Sequence, residues 1–336
     1  MRRFIRISLL FCLLILSSCR HKDLCIHHPH DTLVRVVFDW KEAPEADPRG
    51  MCVFFYPVEG GQPRRYDFNN MQGGDITITV GKYHVLCYNN DTEGILFEGR
   101  DDFRSHYVYT RSGDIFEPVF GNGYRSNIKS TPNQDVVIAP DMMWGCIATD
   151  VEITDDGICY HCLKTRNQDD FTSVIDENHK ITLYPIEHTS IYNYQIINVT
   201  NLKHVTQMCA TISGMAGGLN LTTQELDAES VILPLESSFD RTAGIIYGSF
   251  ITFGHHEENP DPHCMELFVW MADGQKLLYG SDNERFNVTD QIHNAPNKRR
   301  VNIVIDGLDL PQAIENGHGF KPSVDDWDVV EEDIIM

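Results

Sequence analysis

The chain has 336 residues, with 27 Lys plus Arg set against 49 Asp plus Glu, for a formal net charge of −22 at neutral pH. So acidic a body excludes a nucleic-acid partner, whose phosphates draw their affinity from Lys and Arg. It also argues against lying flat on anionic lipid, and leaves solubility and repulsion between crowded copies as its plain consequence.

The N-terminus carries Arg2, Arg3 and Arg6, then an apolar run from Ile7 to Leu16 broken only by Ser8, then Ser17, Ser18 and Cys19. This is the order of a secretory signal. Its apolar run of about ten residues is too short to span a bilayer core that takes roughly 20. Leu16-Ser17-Ser18-Cys19 has the aliphatic, small, small, Cys pattern of a bacterial lipobox. Cleavage between Ser18 and Cys19 would free Cys19 to carry a diacylglycerol on sulfur and a third, palmitate-type chain on its amine. Several acyl chains anchor stably where one is marginal. The other reading is an ordinary signal peptide with an incidental Cys19. Removing Arg2, Arg3 and Arg6 leaves 24 basic residues against 49 acidic, a mature charge of −25. The expected address is the outer membrane, lipid-anchored, with residues 19–31 as a tether.

Strand signals follow. Leu33 to Trp40, Met51 to Pro57, Asp75 to Val80, Tyr83 to Tyr88 and Gly94 to Gly99 are short β-branched and aromatic runs stopped by Gly, Pro, Asn or Asp. Such spacing predicts a sandwich or barrel. After a polar, breaker-rich stretch at Lys129 to Gln134, strands resume at Lys180 to Pro185, Tyr192 to Val199, Gly248 to Phe253, Met265 to Met271 and Arg300 to Asp306. One segment has helical periodicity: Val199, Leu202, Val205, Cys209 and Ile212 recur at three- and four-residue steps before Gly214. The end, from Pro311 to Met336, is acidic but carries Phe320, Trp327, Val329, Val330, Ile334 and Ile335, so part of it is expected to dock.

Of ten cysteines, Cys12 leaves with the signal and Cys19 takes the lipid. Cys52, Cys87, Cys146 and Cys209 lie in or beside apolar runs, where a free thiol acts as a small buried hydrophobe. An even remainder in an exported chain also permits disulfides. Cys159-Tyr160-His161-Cys162 is a lone C-x-x-C without the second pair of a structural zinc site.

No nucleophile elbow and no H-E-x-x-H are present. Gly81-Lys82 mimics the end of a phosphate loop, but Tyr83 stands where Ser or Thr must hold magnesium. His255-His256-Glu257-Glu258 with His263-Cys264 could ligate a metal, yet Asn259-Pro260-Asp261-Pro262 between them favours a solvated loop. His21, His27, His28 and His30 fit the tether. The expectation is no catalytic residue, no cofactor and no metal.

Several segments together resemble a branch of the fimbrillin superfamily of Bacteroidetes, related to pilus anchor and tip subunits. They include Phe38-Asp39-Trp40, Gly50-Met51 running into Phe55-Tyr56-Pro57, Tyr88-Asn89-Asn90-Asp91-Thr92-Glu93, Asp141-Met142-Met143-Trp144-Gly145 and Ser213-Gly214-Met215-Ala216-Gly217-Gly218. Ala272-Asp273-Gly274-Gln275-Lys276 and Gly319-Phe320-Lys321-Pro322 extend the set. The resemblance implies an all-β fold of two tandem transthyretin-like Greek-key sandwiches, placed here at 32–138 and 139–310, with 311–336 as tail or docked strand. It implies a structural or adhesive envelope lipoprotein that assembles by strand donation, partnered by the membrane lipid, by other pilus subunits or by surface ligands. A surface glycan-binding lipoprotein, stacking sugars on Trp40, Trp144, Trp270 or Trp327, is the alternative. Arg20-His21-Lys22-Asp23 has one acid after Cys19 where surface-displayed lipoproteins of this phylum carry several, so a periplasm-facing position stays open. Asp31-Thr32-Leu33 resembles an O-glycan acceptor of the same phylum, and Thr32 equally reads as the start of the first strand.

Overall fold

Runs of β-branched and aromatic side chains favour extended backbone because alternate residues then pack onto one face. The computed structural model describes residues 31–126, 134–154, 179–257, 262–280 and 284–312, and the backbone of 328–329. In chain order the strands are β1 (Asp31–Phe38), β2 (Met51–Pro57), β3 (Arg64–Phe68), β4 (Gly73–Thr79), β5 (Gly81–Asn89), β6 (Ile95–Glu98) and β7 (Tyr107–Thr110). Then come β8 (Asp135–Val136), β9 (Trp144–Ile153), β10 (Lys180–Leu183), β11 (Ile186–Glu187), β12 (Ser190–Thr200), β13 (Val205–Ala216) and β14 (Gly218–Asn220). The series ends with β15 (Ser230–Glu236), β16 (Ser238–Asp240), β17 (Ile245–Thr252), β18 (Met265–Met271), β19 (Lys276–Tyr279), β20 (Arg300–Asp309) and β21 (Asp328–Val329). Among the described residues two short α-helices, α1 (Glu117–Phe120) and α2 (Thr289–His293), and a few single turns of 3-10 helix interrupt them. No helix among the described residues is long and apolar enough to cross a membrane.

The first core lies between two sheets, β10-β1-β4 and β11-β9-β5-β2-β3. Val34, Val36, Ile76, Ile78 and Leu183 of one meet Met51, Val53, Phe55, Val85 and Cys87 of the other. Burying a side chain such as Phe55 contributes about 1.5–3 kcal/mol. The opposite face of β2 and β5 is covered too. Cys52, Phe54, Tyr56, Leu86 and Tyr88 pack against Ile95, Val108, Leu219 and Phe253, beside the small sheet β14-β7-β6. Burial on both faces explains why Met51 to Tyr56 reads as one apolar run without alternation.

The second core lies between β16-β17-β12-β20 and β21-β19-β18-β13-β15-β8. Tyr192, Ile196, Ile246, Val301 and Ile303 face Ala210, Ile212, Leu233, Leu267 and Val269. The chain is thus all-β with minor helix.

Two sequence expectations are corrected. The segment Asn198 to Ile212, expected as a helix, is instead the end of β12, a turn at Leu202–His204 and the start of β13: Asn201, between the strands, adopts a left-handed φ of 55°. Beyond it, β13 is a central strand with Met208 to Ile212 all buried, and such a run satisfies helical and strand spacing alike. The expected boundary near residue 138 is not where the sheets divide. β9, β10 and β11 lie beyond it yet pair with β5, β1 and β9, while β8, before it, pairs with β15. The first sheets therefore take strands from both sides of that point, and the chain visits the second core's sheets at β8 before returning for β9 to β11.

Candidate functional site

Two features could carry function: the free sheet edges and a group of buried histidines. At one edge of the second core, β21 lies parallel on β19, with Leu277 opposite Asp328 and Leu278 opposite Val329. This is the only part of the Trp327 to Ile335 candidate strand among the described residues. At another edge, β20 pairs only with β12 among the described residues, and its outer side is blocked at one point. The Gln291 amide donates to the Val304 carbonyl at 2.9 Å and accepts from the Val304 N–H at 2.8 Å, imitating a neighbouring strand for one residue. Unpaired edges invite added strands, so such blocking limits indiscriminate pairing.

The histidines sit at one end of the second core. His255 follows β17, His263 precedes β18, and His293 ends α2. His263 is fully buried, His255 nearly so and His293 half-buried. Their ring centroids are 5.2, 5.2 and 5.1 Å apart, and one nitrogen from each ring lies within 4.8 Å of the others. Nε2 of His263 and Nε2 of His293 are 3.1 Å apart.

Neighbours orient the rings. Tyr192 Oη on β12 is 2.7 Å from His255 Nδ1. The Ser213 carbonyl on β13 is 3.3 Å from His263 Nδ1 and accepts its proton. Gly214 beside it has φ +79°, and a Cβ there would lie 2.6 Å from His263 Nδ1, so glycine makes room for the ring. Burial first, then the adjacent imidazoles, push His255 down to about 4; burial also lowers His263. His255 borders a cavity of about 270 Å³ shared with Glu257, Lys298 and Arg299, and Glu257 pairs with Lys298 Nζ at 2.9 Å.

The solvated-loop reading of His255 and His263 is therefore corrected: Tyr192 and Ser213 draw both rings inward. The third ring, His293, lies 30 residues beyond His263 and escaped notice. A lone His on a short turn gives no spacing signal.

The remaining expected sites fall out plainly. Ser18, Cys19, Cys159 and Cys162 lie outside the described residues. Thr32 is the second residue of β1 and 4% exposed, so its strand role is the one supported. Cys52, Cys87 and Cys209 are buried free thiols, with Cys87 facing Cys146 across β5 and β9 at an Sγ–Sγ distance of 3.2 Å. Trp144 and Trp270 are buried and offer no open sugar-stacking face; Trp40 is half-buried, its indole N–H donating to the Met71 carbonyl at 2.7 Å. Trp327 lies outside the described residues.

Residues 18–236 match the family described as a domain of unknown function, DUF5119. The chain belongs to this family. A stretch of 102 residues is 30% identical to a candidate fimbrium anchoring subunit, Fim4B, of Bacteroides ovatus, covering 30% of this chain and 30% of that protein's length. The fold is similar to the crystal structure of a candidate adhesin from Bacteroides ovatus, at 17% identity and a TM-score of 0.54, over 88% of this chain and 99% of that one. The fimbrial anchor protein Mfa2 of Porphyromonas gingivalis is more distant, with a TM-score of 0.45 at 14% identity over 81% of this chain and 90% of that one.

Proposed function

We propose that this member of the family is a structural or adhesive subunit of a fimbrium-like surface assembly, an anchor or accessory subunit rather than a catalyst. The observation that carries this reading is the 30% identity to the candidate fimbrium anchoring subunit. The sandwich architecture, with sheet edges unpaired among the described residues, suits it. In this reading Cys19 holds the chain at the outer membrane by its lipid. The two cores act as two sandwich units of transthyretin-like connectivity, and partners join by adding a strand to an open edge. Main-chain hydrogen bonds give such augmentation its affinity, and alternate side chains give it specificity. The acidic tail around β21 is the segment that self-complements or is donated.

Two variants test this in cells that make the chain with its assembly partners. Cys19→Ala should move the protein from the membrane to the soluble fraction. Deleting residues 322–336 should abolish co-purification of fimbrial-type subunits, or expose the β19 edge with a lower melting temperature. A deletion that changes neither partners nor melting removes the strand-pairing role.

A further inference from the structure

We propose that His255, His263 and His293 form a binding site for one divalent transition-metal ion of the zinc class. Three imidazoles are a recurrent zinc donor set, with a fourth position left for water or another ligand. Ring placement matches that use. A metal at about 2.0–2.1 Å from each nitrogen in tetrahedral geometry holds its ligand atoms about 3.3 Å apart. The Nε2 atoms of His263 and His293 already stand at 3.1 Å, and a His255 nitrogen lies within 4.8 Å of the other two ligand atoms.

An outer partner sets the tautomer of His263 as a metal-binding histidine requires. The Ser213 carbonyl takes the Nδ1 proton of His263, leaving Nε2 with its lone pair free. Tyr192 Oη occupies Nδ1 of His255. Nε2 of His255 is buried and has no hydrogen-bond partner. A buried polar atom without a partner is costly and uncommon, and coordination would satisfy it. A cavity of about 270 Å³ borders the His255 side of the group, and half-buried His293 opens its other side toward solvent. The three ligands come from the loop after β17, the entry to β18 and the end of α2, while their supports come from β12 and β13. A metal here would rivet both sheets of the second core at one end, and the bound chain would resist having those sheets peeled apart.

The test uses the full chain without a polyhistidine tag, stripped by a chelator and titrated with ZnCl₂ by calorimetry and with CoCl₂ by absorption. Sites among the tether histidines or the Cys159–Cys162 segment would add to the stoichiometry, so the decisive comparison is with His293→Ala. This half-buried ring can be removed with the fold intact, to be verified by circular dichroism in chelator. Expected is the loss of one zinc equivalent in His293→Ala, retained in His256→Ala. The lost Co(II) signal should have tetrahedral d–d bands without thiolate charge transfer. Zinc should raise the melting temperature of the parent chain and not that of His293→Ala. His255→Gln should lose the same equivalent. Equal zinc stoichiometry and equal melting shifts in the parent and His293→Ala, or no saturable binding at all, would overturn the site.

Discussion

Two of the buried imidazole sites among the described residues, His106 and the group around His255, are bonded in opposite ways. His106, fully buried beside the first core, has both nitrogens engaged: Nδ1 lies 2.7 Å from Tyr56 Oη, and Nε2 lies 3.2 Å from Tyr88 Oη. Tyr56 Oη in turn donates to the Arg100 carbonyl at 2.9 Å. With Nδ1–H donating to Tyr56 and Tyr88 donating to Nε2, each polar atom of the neutral ring is satisfied. Phe54 stacks edge-on at 5.2 Å. At the end of the second core, His255 has one satisfied nitrogen and one buried and bare. A closed network fixes a packing arrangement, whereas a buried open valence among three convergent imidazoles suits a guest.

The largest effect should come from breaking the closed network. His106→Ala leaves a void and strips partners from two tyrosine hydroxyls. We expect a loss of about 3–5 kcal/mol in denaturant unfolding, with no change in zinc binding. A cost under about 1 kcal/mol would mean the network does not hold the fold.

Acid should weaken the same site. Burial, aided by Arg100 and Arg65, pushes His106 down to about 4 from an ordinary 6.5. Burial, aided by Arg299, does the same to His188. Above pH 6.5 both states hold these rings neutral and the stability is complete. Between pH 6.5 and about 4 only the unfolded chain takes up the protons, so stability falls as pH falls. The slope is up to about 1.4 kcal/mol per pH unit for each histidine. Unfolding curves across that window should show this fall, and His106→Phe, where it folds, should remove one histidine's share. An unchanged slope in that variant would assign the acid sensitivity elsewhere.

The contrast sharpens at the second site through Gly214 and Tyr192. Gly214→Ala puts a methyl against His263 at a left-handed φ and should cost about 1–3 kcal/mol, with zinc affinity falling as well. Tyr192→Phe removes only the hydroxyl that orients His255. A stability loss of about 0.5–1.5 kcal/mol is expected, together with zinc affinity reduced roughly 10- to 100-fold. Calorimetry of the two variants separates displacement of His263 from misorientation of His255.

The contrast itself was only half legible in the sequence. Short β-branched and aromatic runs foretold β1, β2, β4, β5, β12, β17, β18 and β20, because alternation and turn residues are local signals. Pairing was not legible. Nothing in Lys180 to Leu183 says that it lies parallel beside β1, 145 positions away from Arg35 in sequence. The β13 segment misled for a related reason, since a strand buried on both faces has no alternation to display. The histidine group shows the same limit. His255 and His263 could be noticed together, but the solvent-facing appearance of Asn259 to Pro262 hid their burial, and His293 enters only through the tertiary fold.

The smallest expected effect is that of His293→Ala in metal-free protein, and it bears most directly on the contrast. His293 is half-buried and ends a short helix, so its removal opens no closed cavity. Among the described residues, its one ring contact of hydrogen-bonding length is to His263 Nε2. Losing that contact leaves the His263 nitrogen unsatisfied, as His255 Nε2 already is. The cost should be about 1 kcal/mol, the low end for a bared buried acceptor because removing a half-buried ring lets water reach it, well below that of His106→Ala. If the metal-free variant instead loses about 3 kcal/mol or more, the three rings are a packed network like that around His106. The distinction between a closed and an open imidazole site then fails, whatever zinc does.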